Sequence, residues 1–400
     1  MPPRVVVTGV GIISSLGRGL PDHQRMLLNE QAALGPCTLP ETIYAREFPF
    51  GEVRLSNDEL AFPAGIPAEG NSRTTLLGCI AAAEAIAQSG LTSPLLHRGA
   101  LINASTVGGM CEVEKYYFDM LNEPEAFTAY TDTLDCADCS IRIAKRFGIQ
   151  GFITTISTAC SSSANALMLG ARMLEQKKVP VAICGGTDAL TRFTINGFNA
   201  LKNIDRQACR PFDAGRNGLN LGEGAAYLVL EREEDALSRG ARILAIFSGY
   251  ANYNEAFHAT APNPEGEGAY RGMELALQKA GLAVTDIDYI NAHGTATLTN
   301  DESESNAMIR LFGTVPAFSS TKCYTGHTLA AAGAVEAVFA VNAIEEDCVY
   351  ANLNFTTPMP GSALVPQLRY ETKKNIRHVM SNSFAFGGNN TSLIFSKYES

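Results

Sequence analysis

Four hundred residues with 46% hydrophobic and 18% charged content can bury a large core, and this excludes the low-hydrophobicity, high-charge regime of disordered chains. A formal net charge of -10 argues against nucleic acid as the main partner, because phosphate recognition needs clustered Lys and Arg. The ten cysteines run from Cys37 to Cys348 with only Cys136 and Cys139 closely spaced, which excludes a disulfide scaffold and reads as reduced thiols of a cytoplasmic protein.

Taken in chain order, the first element is a β-branched run from Arg4 to Val10 within VVVTGVGIISSLG. Its Gly, Thr and Ser content reads as a strand entering a turn rather than a secretory leader. The glycine spacing is not a dinucleotide fingerprint either, since Ile12 to Leu16 separate Gly11 from Gly17. No apolar run reaches the roughly 18 residues a spanning helix needs, so no membrane span is expected. An Ala-rich helix is predicted over Thr75–Ser89, followed by the segment LINAST at Leu101–Thr106. The Cys136–Cys139 spacing lacks a second Cys or His pair, so no metal site is predicted.

Cys160 lies in STACSSSANAL, where a β-rich segment gives way to small residues opening a helix over Ser162–Glu175. A thiol at such a strand-to-helix turn meets the positive end of the helix dipole, which favours thiolate. Further strands are predicted over Val179–Cys184, Ile243–Ser248 and Asp288–Asn291, and a helix over Ala330–Ile344. The charged stretch Glu231–Arg242 reads as a solvated element without chemistry. Together these elements give an α/β pattern.

An internal echo runs through this order. LINAST matches YINAHGT at Tyr289–Thr295; Cys160 and His327 each stand where a small-residue helix begins; VAICGGTDAL at Val181–Leu190 has a looser partner in VMSNSFAFGGNN at Val379–Asn390. Three features recurring in one order imply a duplicated unit joined near Arg239–Ile243, with halves at residues 1–240 and 241–400. Two similar halves facing each other would bring Cys160, His293 and His327 to one centre. His293 follows a strand directly, at the edge where open α/β sheets hold ligands and catalysts.

These motifs, with RPFDAGRNGLNLGEGA and NAHGTATLTND between them, resemble the beta-ketoacyl-acyl-carrier-protein synthases of the decarboxylating Cys-His-His kind along essentially the whole chain. The resemblance implies a thiolase-like fold, two pseudo-duplicated halves packed as a five-layered αβαβα sandwich. It implies Cys160 as the acyl-carrying nucleophile, His293 and His327 as the decarboxylation histidines, and Lys322 as their supporting lysine. Glu336 is implied as the buried acid beside that lysine. Asp301 and Glu304 also match family positions, although helix capping is the simpler reading of both. Thr295 and Thr297 would hold the pantetheine arm of a carrier substrate, and Phe386, with Gly387 and Gly388, would gate the acyl pocket.

The chemistry asks for these residue types on its own terms: a thiolate to accept an acyl group, and two imidazole N–H groups to hold the enolate left by decarboxylation. Backbone N–H groups at Cys160 and in the Phe386–Gly388 turn would receive the tetrahedral intermediate. No cofactor is expected beyond the phosphopantetheine that carries the substrates. The expected partners are an acidic acyl carrier protein, met by a basic rim drawn from Arg73, Lys202, Arg206 and Arg210, and a second subunit, identical or related. Ala385 replaces the family's glycine before Phe386 and Asn389 its threonine; a stiffer gate and a specialised polyene or polyketide-type pathway are the expectations. The rivals are a non-elongating chain-length-factor-like partner, which would normally have lost the nucleophile, and a thiolase, which would need a second cysteine near Ser383–Asn390.

Overall fold

The computed structural model describes residues 3–399 apart from 40, 124, 126 and 127. Ten of the main sheet's eleven strands form one continuous path, with the short strand Gly17–Arg18 pairing beside the first: β1 (Val5–Ser14), β2 (Ala100–Ala104), β3 (Ile153–Ile156), β4 (Val181–Asp188), β5 (Gly224–Arg232), β6 (Ala245–Asn254), β7 (Tyr289–Asn291), β8 (Ala317–Ser319), β9 (His378–Ala385) and β10 (Asn389–Ser396). The spatial order is β3-β2-β4-β5-β1 followed by β6-β10-β9-β7-β8. Numbered within each half, both run 3-2-4-5-1 from edge to centre. The halves join where Val6 and Val7 of β1 pair with Ile246 and Ala245 of β6.

The three sequence echoes fall on equivalent elements of this repeat. Leu101–Thr106 and Tyr289–Thr295 contain the second strand of each half, and Val181–Leu190 and Val379–Asn390 the fourth. Cys160 and His327 each follow the third strand and precede a central helix.

The layers form because each helix has an apolar face to bury. Helix α1 (Arg73–Ser89), with α3 (Cys136–Phe147), covers the outer side of the first half-sheet, and α6 (Glu267–Ala280), with α7 (Leu298–Phe312), that of the second. Helices α4 (Ser162–Glu175) and α8 (Ala332–Glu345) lie between the half-sheets. Helix α8 is buried on every side over Ala332–Ile344, which explains its lack of amphipathic patterning. It meets α4 at a backbone crossing: a Cβ on Gly333 would stand 2.8 Å from Ala164 N, so only glycine fits. Two further helices are α2 (Met110–Asn122) and α5 (Arg192–Ala200). Among the described residues no helix is long and apolar enough to cross a membrane.

One sequence expectation fails here. The charged stretch Glu231–Arg242 is not simply solvated: Glu231 is fully buried, accepting from Thr8 Oγ1 at 2.5 Å and pairing with Arg239. A carboxylate in that position is tolerable only because Arg239 reaches it from the following turn.

Candidate active site

Cys160 sits in the turn between β3 and α4, with Thr158 and Cys160 in a local bridge around Ala159. Ala159 has φ +50°, a left-handed conformation costly for a residue with a Cβ, as expected of a strained elbow that presents its neighbour. The sulfur is buried. Burial pushes the thiol up to about 11, against the Lys322 charge and the backbone N–H groups of Phe386 and Cys160, which pull it down. The expected bias toward thiolate from the helix start is therefore outweighed by desolvation.

His293 emerges two residues after β7. Its backbone N–H and that of Gly294 donate to the Glu304 carboxylate at 2.9 and 2.8 Å, and Asn382 Nδ2 donates to the same group at 3.2 Å. Gly294 has φ +34°, and a Cβ there would strike Ser320 Cβ at 2.6 Å, so the turn demands glycine. His327 is strapped by its backbone to the LNLGEGA segment: its N–H donates to Asn220 O at 2.7 Å and its carbonyl accepts from Gly222 N at 3.0 Å.

The two rings stand nearly perpendicular with centroids 5.5 Å apart. Their second nitrogens are fixed by their partners. Lys322 Nζ donates to His293 Nδ1 at 3.2 Å, and the Leu329 N–H donates to His327 Nδ1 at 3.2 Å. Both Nδ1 atoms accept, so each neutral ring carries its proton on Nε2. Burial first, and the Lys322 charge second, hold both histidines well below their ordinary range, so neither is an imidazolium at neutral pH. His327 Nε2 is buried without a partner among the described residues.

Lys322 also donates to the His293 carbonyl at 2.7 Å and to Glu336 Oε1. Burial raises Glu336 to about 7, with the Lys322 charge pulling the other way. Cys160 Sγ and one nitrogen of each histidine lie within 4.8 Å of one another, a spacing that could suit a metal ion. The hydrogen-bond pattern points elsewhere. Two protonated Nε2 atoms beside a lysine offer donors to an anion, whereas a cation would need their lone pairs.

A cavity of about 50 Å³ opens on this triad, lined among others by Thr295, Thr297, Phe386 and Gly388. Thr295 and Thr297 share a hydrogen bond between their hydroxyls at 2.9 Å. Gly387 lies outside the lining and is exposed at the tip of the β9–β10 hairpin. Phe386 forms part of its wall, stacked on Phe198 with centroids 5.8 Å apart. Ala385 is the last residue of β9 and pairs with Asn389, so it needs no positive φ here. Gly387 and Gly388 take φ +82° and +75° in its place.

Asp301 does not cap α7. It reaches back to accept from Ala296 N at 3.1 Å and from Phe212 N at 2.8 Å, fixing the loop that holds Thr295 and Thr297. Arg73 is not on a basic rim: it is buried, its guanidinium paired with Glu223 at 2.7 Å and donating to Val53 O. The other three of that set share one surface loop. Lys202 and Arg206 are exposed, Arg206 pairs with Glu47 at 2.6 Å, and Arg210 is half-buried against Gln207. Asn203, in the same loop, lines the cavity.

Sequence reasoning missed the aromatic walls Phe198 and Phe384, the latter 6.0 Å from the His293 ring. It also missed Asp188, whose buried carboxylate accepts from Thr106 N and Ala330 N, both at 2.9 Å, tying β4 to the turn after His327. No local signal marks these residues; their partners are 80 or more positions away.

Comparison with known proteins matches the Beta-ketoacyl synthase N-terminal domain to residues 3–236 and its C-terminal domain to residues 244–356. The chain is 35% identical to 3-oxoacyl-[acyl-carrier-protein] synthase 2 of Rhizobium meliloti strain 1021, over 99% of both chains. It superposes on a chain of the ishigamide ketosynthase/chain length factor with TM-score 0.93 at 33% identity, covering 100% of both. It also superposes on a chain of AntDE:AntF, a type II PKS acyl-carrier protein in complex with its ketosynthase, with TM-score 0.90 at 25% identity and 100% coverage of both.

Proposed function

The chain belongs to the beta-ketoacyl synthase family, and from that premise we propose that it is a 3-oxoacyl-[acyl-carrier-protein] synthase. It condenses an acyl group held on Cys160 with a malonyl thioester. The observation that carries this reading is the convergence of a buried thiol with one ring nitrogen from each of two neutral histidines, all within 4.8 Å.

Loading exchanges one thioester for another: the Cys160 sulfur attacks the acyl carbonyl, the carrier's sulfur leaves, and the thiol proton goes with it. The oxyanion formed on the way meets the N–H groups of Cys160 and Phe386, the two that already point at the sulfur. Malonyl thioester then loses carbon dioxide, and the enolate oxygen receives hydrogen bonds from His293 and His327. Neutral rings suit this step, because they stabilise the enolate without protonating its carbon. The carbanion attacks the acyl carbonyl on Cys160, the 3-oxoacyl thioester departs, and the sulfur regains a proton from solvent. Lys322 keeps both imidazoles neutral and, through Glu336, is itself held in place.

The substrates travel on the phosphopantetheine of an acyl carrier protein, whose acidic surface meets Lys202 and Arg206 beside the cavity mouth. No resident cofactor takes part. The enzyme acts in the cytoplasm as a dimer. The sheet ends at β3, an edge strand paired with β2 on one side and with no strand on its outer side among the described residues, and Phe152, Ile153 and, on the adjoining α3, Ile141 are exposed there. A second copy or a related chain covering that edge would remove an aggregation hazard. The intact nucleophile speaks against a non-elongating partner role. Incubation with acyl and malonyl carrier thioesters, followed by mass spectrometry of protein and products, tests the function. A 3-oxoacyl product two carbons longer than the primer is expected; absence of both that product and a Cys160 adduct would overturn it.

A further inference from the structure

Asn389 opens β10, where it pairs with Ala385 across the hairpin that presents Phe386. Its side-chain carbonyl accepts three hydrogen bonds: from Ser161 Oγ at 2.8 Å, Asn165 Nδ2 at 3.0 Å and Asn252 Nδ2 at 2.5 Å. Ser161 follows Cys160 directly, and Asn165 stands one helical turn later. Asn165 Nδ2 also reaches Thr158 Oγ1 at 2.9 Å, and its carbonyl accepts from Thr391 Oγ1 at 2.9 Å. Asn252 closes the circuit, donating to Thr391 Oγ1 at 2.7 Å. Three segments that are remote in sequence, the nucleophile elbow, β6 and β10, thus meet at one carbonyl oxygen.

This circuit encloses the residue under strain. Thr158 and Ser161 flank Ala159 at φ +50°, a conformation that persists only where its surroundings over-determine it. It also bridges the two halves of the oxyanion site, since the Cys160 N–H belongs to the elbow and the Phe386 N–H to the hairpin that Asn389 anchors.

We propose that Asn389 is a positioning residue that locks the elbow to the Phe386 hairpin and so sets the spacing of the two N–H donors around the Cys160 thioester. The proposal rests on the condensing function above. Asn389 touches neither histidine ring, so it acts on the two steps that pass through a tetrahedral centre at Cys160, loading and condensation. Decarboxylation at the His293–His327 pair lies outside its reach. A displacement of about 1 Å at such a site costs on the order of 100-fold in rate.

The test compares wild type, Asn389→Ala and Asn389→Asp for acyl loading, read by intact mass, and for release of carbon dioxide from malonyl carrier thioester without primer. Asp keeps the acceptor oxygen. The expected result for Asn389→Ala is a loading kcat lower by about 100-fold with KM within about threefold, and carbon dioxide release close to wild type. Asn389→Asp should recover most of the loading rate. Equal loss of both activities, unchanged loading, or no recovery in Asp each overturns the proposal while leaving the condensing function intact. A wild-type protein inert in both assays overturns the function and the proposal together. Should Asn389→Ala fail to fold, Ser161→Ala, which removes one of the three donors, carries the same step-selective expectation at smaller size; a uniform loss there overturns the proposal.

Discussion

In the proposed mechanism, replacing His327 by Ala isolates the enolate donors from the rest of the machinery. The substitution removes one of two Nε2–H groups and leaves the Leu329 N–H, now donating at 3.2 Å to Nδ1, without its acceptor. The orphaned N–H costs about 1 to 3 kcal/mol of stability, against a total of about 5 to 15 kcal/mol, so the variant should fold. Losing one pre-placed donor costs about 2.7 to 4 kcal/mol at the transition state it serves, or a factor of about 100 to 1,000. Decarboxylation of malonyl carrier thioester should fall by that factor, whereas Cys160 loading, served by the N–H groups of Cys160 and Phe386, should fall less than about tenfold. Carbon dioxide release and intact-mass loading measured on one preparation give both numbers. Equal loss in the two would refute the separation of oxyanion sites. Because both rings are held well below their ordinary range, wild-type decarboxylation should also show no loss from histidine protonation between pH 6 and 7.5.

The Cys160 thiol, pushed up to about 11, should be alkylated by iodoacetamide at a rate that climbs about tenfold per pH unit from 7 to 10 without a plateau, and Lys322→Met should slow alkylation throughout that range by removing the charge that favours thiolate. A plateau near pH 8 would contradict the burial argument. Glu304 and Glu336 are both raised by burial from 4.5 to about 7, so the folded state holds two protons that the unfolded chain has released at pH 6. Their contribution to stability is full below about pH 4.5 and is lost as pH rises through 7, on the order of 3 kcal/mol each. Urea unfolding at pH 5 and pH 8 should show this fall, and Glu336→Gln should shrink it. Arg73→Ala should destabilise the fold by about 3 to 5 kcal/mol because it strands Glu223 in the core, whereas Lys202→Glu should leave the melting temperature unchanged and raise KM for carrier-borne substrate. Chemical denaturation and steady-state kinetics distinguish the two.

Much of the site was legible because its residues stand in local contexts that declare themselves. Cys160, His293 and His327 each lie in a small-residue turn after a strand, and the echo between halves shows that those turns converge. The same local reading failed wherever a side chain's role depends on a remote partner. Arg73 looks like any surface cation until Glu223, 150 positions on, is seen beside it. Glu231 reads as solvated until Thr8 and Arg239 close over it. Ala385 drew attention as a lost glycine, yet the hairpin places its left-handed residues at Gly387 and Gly388 and leaves Ala385 extended within β9. Asn389, noted only as a departure from a pattern, becomes intelligible through Ser161, Asn165 and Asn252, which no spacing rule connects.

In the proposed reaction the acyl chain carried on Cys160 is the one extended. Protein acylated on Cys160 with an isotopically labelled primer, freed of excess substrate and mixed with one equivalent of malonyl carrier thioester, tests it in a single turnover. The label should leave Cys160 and appear in a 3-oxoacyl thioester on the carrier at the rate carbon dioxide is released, one for one. Carbon dioxide release with the label still on Cys160, or product formed without passage of the label, would contradict it.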